Sequence, residues 1–174
     1  MLLITQPDEG IAPLIKAIRR AKKCADIVIF RFDIKVIEEA LTAAVKRGVV
    51  VRALIAHTNR GGETKLRKLE SRLLEAGATL SRTADDMVRY HGKLLVTDRQ
   101  KAFVLGFNYT RQDIAKSRTF GLVTRNPKIV RDILNENVNL LVLDDRKAHM
   151  QVVAGQKMSS FDVAAWADLW FYTN

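Results

Sequence analysis

The chain has 174 residues, 48% of them apolar, and its 29 Lys and Arg against 19 Asp and Glu give a net charge of +10. A single cysteine, Cys24, excludes an intramolecular disulfide framework and a cysteine zinc cluster, and three histidines leave little material for a metal site. The apolar share excludes wholesale disorder, and the length suits one core-bearing domain with or without an appendage.

Leu2–Thr5 reads as a short strand. Pro7-Asp8-Glu9-Gly10 follows as a turn and helix start, with Asp8 the candidate cap. Ile11, Leu14, Ile15 and Ile18 recur at helical spacing, so a helix is expected to run to about Lys23, with Pro13 tolerated in its first turn. Asp26–Phe32 is apolar and β-branched, a strand. Val36, Ile37, Ala40, Leu41, Ala44 and Val45 form the next helical stripe, closed by Lys46-Arg47-Gly48. Val49–Ala56 is another strand, interrupted only by Arg52. These strands are too continuously apolar for a sheet with one wet face, so a parallel α/β sheet is expected here.

His57–Gly62 reads as a polar loop. Glu63–Ala76 is a helix carrying Leu66, Leu69, Leu73 and Leu74, and Ala78–Ser81 a short edge strand. Tyr90–Thr97 and Ala102–Phe107 read as a hairpin around the four residues Asp98–Lys101. Phe120–Thr124 is a further strand. Asn126 and Pro127 then open a helix whose core face is Ile129, Val130, Ile133 and Leu134. Leu140–Leu143 is a candidate strand, Asp144–Ser160 is polar and unpatterned, and Phe161–Tyr172 is a candidate aromatic helix. The fold class expected is α/β: a mixed, mostly parallel sheet with helices on both faces, at residues 1–138, followed by a C-terminal extension at 139–174. No window approaches 18 apolar residues, so no membrane span is expected. The N-terminus has no basic segment and its apolar run stops after four residues, so a cytoplasmic location is the expectation.

The sharpest local feature is His91-Gly92-Lys93-Leu94-Leu95-Val96-Thr97-Asp98, followed by Leu105-Gly106-Phe107-Asn108-Tyr109-Thr110. Residues two apart on a strand share a face, so His91 and Lys93 align and a hairpin can return Asn108 beside them. An imidazole, an ammonium and a carboxamide on one face suit a tetrahedral phosphate anion, with the imidazole able to act as nucleophile or proton carrier. The same residues also fit a strand histidine, a solvated lysine and a turn asparagine.

The spacing His-x-Lys, four residues, Asp, then Gly-x-Asn closely resembles the HKD signature of the phospholipase D superfamily, and Tyr109-Thr110 is similar to the aromatic–Ser/Thr pair that follows it. The resemblance covers roughly residues 1–138. It implies a phospholipase D-like half-domain and a phosphodiesterase that needs no metal and no cofactor. His91 would attack phosphorus to form a phosphohistidine, or protonate the leaving oxygen when its partner attacks; Lys93 and Asn108 would hold the non-bridging oxygens, and Asp98 would brace the motif. The family needs two motifs and this chain carries one: His57 has no Lys two residues on, and His149 is followed by Met150 and Gln151. The resemblance therefore implies a homodimer with a shared site, the alternative being one half of a longer two-motif enzyme. Two positions depart from the pattern. Leu105 stands where a small residue is usual, and Thr119 stands about where a carboxylate often braces the histidine. Gly106 and Thr119 are expected beside the substrate.

Between Met87 and Arg125 eight basic residues stand against two acids, more than half of the chain's net charge. Such clustering steers polyanions, and Arg111, Lys116 and Arg118 are candidate phosphate contacts. Arg19, Arg20, Lys22 and Lys23, like Lys65, Arg67 and Lys68, are expected to be solvated faces. A nuclease acting on DNA or RNA, similar to the bacterial endonuclease branch of the family, is the leading expectation. The alternatives are a phospholipase D or cardiolipin-synthase-like phosphatidyl hydrolase or transferase meeting a phospholipid headgroup at a membrane surface, and a nucleic-acid-binding module with weakened catalysis.

Overall fold

The computed structural model describes residues 1–57, 62–83 and 90–137. Seven strands form one sheet in the order β1-β7-β6-β5-β2-β3-β4. The elements in chain order are β1 (Leu2–Gln6), α1 (Ala12–Arg20), β2 (Cys24–Ile29), α2 (Lys35–Lys46), β3 (Val50–Ile55), α3 (Glu63–Glu75), β4 (Thr79–Arg82), β5 (Leu94–Thr97), β6 (Lys101–Leu105), α4 (Arg111–Lys116), β7 (Thr119–Thr124) and α5 (Pro127–Asn137). β2 pairs in parallel with β3, and β3 with β4, while β2–β5, β5–β6, β6–β7 and β7–β1 are antiparallel. The sheet is mixed as expected. Five strands share one direction, yet most neighbouring pairs are antiparallel, because β5 and β7 are interleaved against the rest.

Helices cover both faces. Leu14, Ile15 and Ile18 of α1, Ile37 and Leu41 of α2, and Leu66, Leu69 and Leu73 of α3 pack on one face with Ile27, Ile29, Val51, Ile55, Phe103 and Leu105. Val130 of α5 packs on the other with Val28, Leu54, Leu94, Val96 and Ala102. β2 and β5 are buried on both sides, which explains their unbroken apolar sequence. Asn126 caps α5 as expected: its Oδ1 accepts from the N–H groups of Lys128 (3.0 Å) and Ile129 (3.3 Å).

Several boundaries move for identifiable reasons. α1 starts after Ile11, with no side-chain cap, so Asp8 does not cap it. It stops at Arg20 rather than near Lys23, because the Asp98 carboxylate takes the N–H groups of Lys22 (3.0 Å), Lys23 (2.7 Å) and Cys24 (3.2 Å) out of any helix. The β5–β6 loop has three residues, not four, since Lys101 already pairs with Thr97. Its Asp98 and Arg99 both take left-handed backbone, the geometry of a tight hairpin turn. The expected strand Tyr90–Thr97 begins only at Leu94, and the expected strand Ala102–Phe107 ends at Leu105. The two halves of the motif therefore flank the hairpin rather than lie within it. The short helix α4 was not expected from periodicity. The candidate elements at 140–143 and 161–172, with the extension beginning at 139, lie outside the described residues.

Candidate functional site

The parallel strands β2, β3 and β4 end at one edge of the sheet, where ligands of open α/β sheets bind. Because β5 runs against β2, with Val28 opposite Leu94, the residues just before β5 arrive at that same edge. Those residues are His91, Gly92 and Lys93. β6 returns antiparallel to β5, so Gly106, Phe107 and Asn108 leave there too, and Leu105 N–H donates to Lys93 C=O at 3.0 Å. β7 begins at this edge with Thr119.

The His91 ring is solvent-exposed, whereas the Lys93 side chain runs inward and the residue is only 7% exposed. Lys93 Nζ lies 2.8 Å from Nδ1 and 2.9 Å from Nε2 of His91. Phe30, immediately after β2, supports both. Its ring meets the imidazole edge-to-face with centroids 4.6 Å apart, and the ammonium lies 5.3 Å from its centroid. A desolvated ammonium is costly, and the contacts with the ring nitrogens and the aromatic face offset part of that cost.

Asn108 is fixed from its own C-terminal side. Its backbone N–H and its Nδ2 both donate to Asp113 Oδ2, at 2.8 and 2.6 Å. Asn108 Oδ1 is buried and has no hydrogen-bond partner among the described residues. Asp113 sits in the first turn of α4, where Thr110 Oγ1 accepts from the Asp113 N–H at 3.2 Å. Tyr109 is fully buried and its hydroxyl donates to Leu94 C=O at 2.7 Å; burial pushes its phenol well above the ordinary value. Tyr109 and Asp33 tie this loop to the end of β2: Tyr109 N–H donates to Arg31 C=O, Asp33 N–H to Tyr109 C=O, and Arg111 N–H to Asp33 Oδ1. Phe30, Asp33 and Asp113 were not singled out from the sequence. The Thr110-x-x-Asp113 spacing is a capping pattern that reveals Asp113. Nothing in the sequence marks Phe30 or Asp33, because their role depends on where β2 ends.

Gly106 lies where two strands approach closely. A Cβ there would stand 2.7 Å from Phe120 O and 3.0 Å from Thr119 Oγ1. Thr119 is thus brought against Gly106. Leu105 is buried in the core, and its Cδ2 occupies the space that a side chain on Gly121, its cross-strand partner, would need. The large residue at 105 is matched by the absence of one at 121.

Other candidates lie apart from His91. Asp98 is at the far end of β5, about 20 Å away at ~3.3 Å per residue. Burial opposes its ionisation, but the N–H groups of Lys23, Cys24 and Lys22 outweigh that and hold its carboxyl below the usual carboxylate range. It anchors the hairpin to the start of β2. Arg111 and Lys116 are exposed on α4, and Arg118 is exposed in the link to β7. Arg67 is not a solvated charge: it is half-buried, donating to Ala56 C=O and pairing at 3.0 Å with buried Glu70, which also binds Arg82.

A family model described as cardiolipin synthase, PLD-like domain, matches residues 14–159. The mitochondrial cardiolipin hydrolase of Danio rerio is 25% identical over 132 residues, covering 76% of this chain and 57% of that protein. The chain thus spans little more than half the length of that curated relative. The crystal structure of Nuc from Salmonella typhimurium, a phospholipase D family member, superposes with a TM-score of 0.67 at 26% identity, over 78% of this chain and 90% of that one. NucT from Helicobacter pylori gives a TM-score of 0.61 at 16% identity, over 91% and 97% of the two chains, a likeness of fold.

Proposed function

From the premise that the chain belongs to the phospholipase D-like family, whose model spans most of its length, we propose that it is a phosphodiesterase acting on nucleic acid through His91 and Lys93. The observation that carries the reading is the contact of the buried Lys93 ammonium with the exposed His91 ring at the carboxyl edge of the sheet. His91 is exposed and the ammonium stands beside its ring, so a phosphorus attacked by the ring would bring a non-bridging oxygen near the ammonium. Lys93 supplies charge to the transition state, an electrostatic role that a preorganised site performs without reorganisation. Asn108, held by Asp113, supplies an oriented amide.

In the proposed step a His91 ring nitrogen attacks phosphorus as the bond to the leaving oxygen breaks. That oxygen takes a proton from a second imidazole, supplied by another copy of this chain. Water then attacks the phosphohistidine, the second imidazole accepts its proton, and His91 is released. Neither half-reaction calls on a metal. The basic residues around the motif, Arg111, Lys116 and Arg118 among them, support a polyanionic substrate.

The test is cleavage of single- and double-stranded DNA and RNA in excess EDTA, beside His91→Ala. Cleavage that survives EDTA and is lost by at least about 10³-fold in the variant is expected, by analogy with removal of a catalytic nucleophile. Unchanged cleavage by His91→Ala would sink the proposal. A second reading is favoured by the cardiolipin hydrolase relative and by the description of the family model. In it the same residues act on a phospholipid diester, and headgroup release from cardiolipin vesicles without nuclease activity would select it. Salt-sensitive binding with no turnover would select a binding module.

A further inference from the structure

A second concentration of positive charge lies at the opposite end of the sheet from His91. A cleft of about 720 Å³ opens there between the flank of α1 and the β5–β6 turn, lined in part by Lys16, Arg20, Lys101 and Arg125. These four come from three places: one face of α1, the first residue of β6, and the residue after β7. Lys16 and Arg20 are one helical turn apart, about 6 Å along the axis. Lys101 Nζ is held 4.6 Å from the centroid of the Phe103 ring.

None of the four forms an ion pair with an acid of the described residues. Two acids line the cleft, and both are engaged elsewhere. Glu9 accepts from the Thr5 N–H, and Asp98 accepts from Lys22, Lys23 and Cys24. The cations feel one another. Burial lowers the Lys101 ammonium below the ordinary lysine value, and Arg125, Lys16 and Arg20 lower it further. Four converging like charges, outnumbering the two engaged acids, cost stability until an anion enters. Small side chains, Ala12, Pro13, Ala17 and Ala21, also line the cleft and leave room for the less polar part of a ligand. The volume lies within the range of small-ligand sites, roughly 300–1,000 Å³.

We propose that this cleft binds a phosphate ester of nucleotide type, borne either by a free nucleotide or by a nucleic-acid strand. It is separate from the His91 edge, which β5 places about 20 Å away, and it does not depend on whether that edge cleaves diesters.

The test uses backbone amide NMR shifts of the full chain, titrated with adenosine monophosphate and with a twelve-nucleotide single strand. The comparison is Lys16→Gln/Arg125→Gln, in which both replaced residues are exposed. Either probe should shift the amides of Ala17–Ala21 and Asp98–Lys101, and the double variant should weaken that response about tenfold or more. For the strand, loss of two phosphate contacts should also reduce the slope of log K against log salt by about 1.4. Saturation of the cleft by the mononucleotide identifies a free nucleotide as a ligand. A response to the strand alone assigns the cleft to a polymer. Absence of shifts at these amides with both probes, or an unaltered affinity in the double variant, overturns the proposal. Shifts at Gly92–Lys93 and Gly106–Asn108 report the other edge separately, so failure of one site leaves the other standing.

Discussion

Asn108 shows how much a site residue depends on a neighbour that does no chemistry. Its amide is oriented by Asp113, which also closes the first turn of α4 with Thr110. If Asn108 holds a phosphate oxygen in the transition state, Asn108→Ala should lower kcat by about 10²-fold, as removal of one oriented donor does. Asp113→Ala should give a smaller loss, about tenfold, seen in kcat more than in KM; equal kcat in wild type and Asp113→Ala would refute the orienting role. Asp26 and Arg52 present a different residue-scale case. Arg52 interrupts an otherwise apolar strand, and its Nε bonds Asp26 Oδ1 at 2.5 Å on the adjacent strand, with the Asp26 side chain fully buried. Removing one partner strands a buried charge, so Asp26→Ala should cost about 3–5 kcal/mol in urea unfolding. A loss below about 1 kcal/mol would show that the pair is better solvated than its burial indicates.

At the scale of elements, the β5–β6 hairpin is organised from both ends. At the turn, Asp98 satisfies three N–H groups in the α1–β2 link, and its own N–H donates to Cys24 C=O at 2.8 Å. This contact cuts α1 short and sets the position of β5 against β2. The folded-state pKa of Asp98 is depressed, so its stabilisation is fully present above the unfolded carboxylate value of about 4. It is lost as pH falls through the lower folded value. Asp98→Asn should therefore reduce stability at pH 7 and flatten the loss of stability below about pH 4, measured by urea titration across pH. A variant whose acid transition overlays that of the wild type would remove Asp98 from the anchor. At the other end of the hairpin, the close approach of Gly106 to Phe120 C=O leaves no room for a side chain. The tight crossing keeps β6 and β7 together up to the edge where the motif emerges.

At the scale of the molecule, one histidine–lysine edge is half of the machinery proposed above. The proposal needs two imidazoles, and among the described residues His91 stands beside a lysine, Lys93. The expected outcome is a native mass of twice 19.6 kDa and activity per chain that falls on dilution below the dimer dissociation constant. A monomer with full activity would refute the shared site. The +10 charge is also distributed at this scale. Part of it surrounds the His91 edge through Arg111, Lys116 and Arg118, and part gathers at the opposite end in the α1 cleft. A reading by sequence windows merges the two, because the Met87–Arg125 window holds Lys101 and Arg125 of the cleft together with Arg111, Lys116 and Arg118, while Lys16 and Arg20 lie far outside it.

The sequence alone determined the features that local chemistry controls. Apolar periodicity specified α1, α2 and α3, continuous β-branched runs specified β2 and β3, and Asn126-Pro127 specified the start of α5. The spacing of His91, Lys93, Asp98, Gly106 and Asn108 specified the family. Only the tertiary structure decided features that depend on which segments meet. β5 begins late because its ladder with β2 ends at Val28 and Leu94, β6 ends where its ladder with β7 ends at Leu105 and Gly121, and α1 stops early because a carboxylate 75 residues away claims its next donors. The same is true of Phe30 under the imidazole, of Gly121 making room for Leu105, and of Asp98 lying at the end of β5 remote from the histidine it follows in sequence. Hydrophobic pattern and propensity are properties of a segment. Burial, charge pairing and close approach are properties of pairs, and their partners are fixed only when the sheet is assembled.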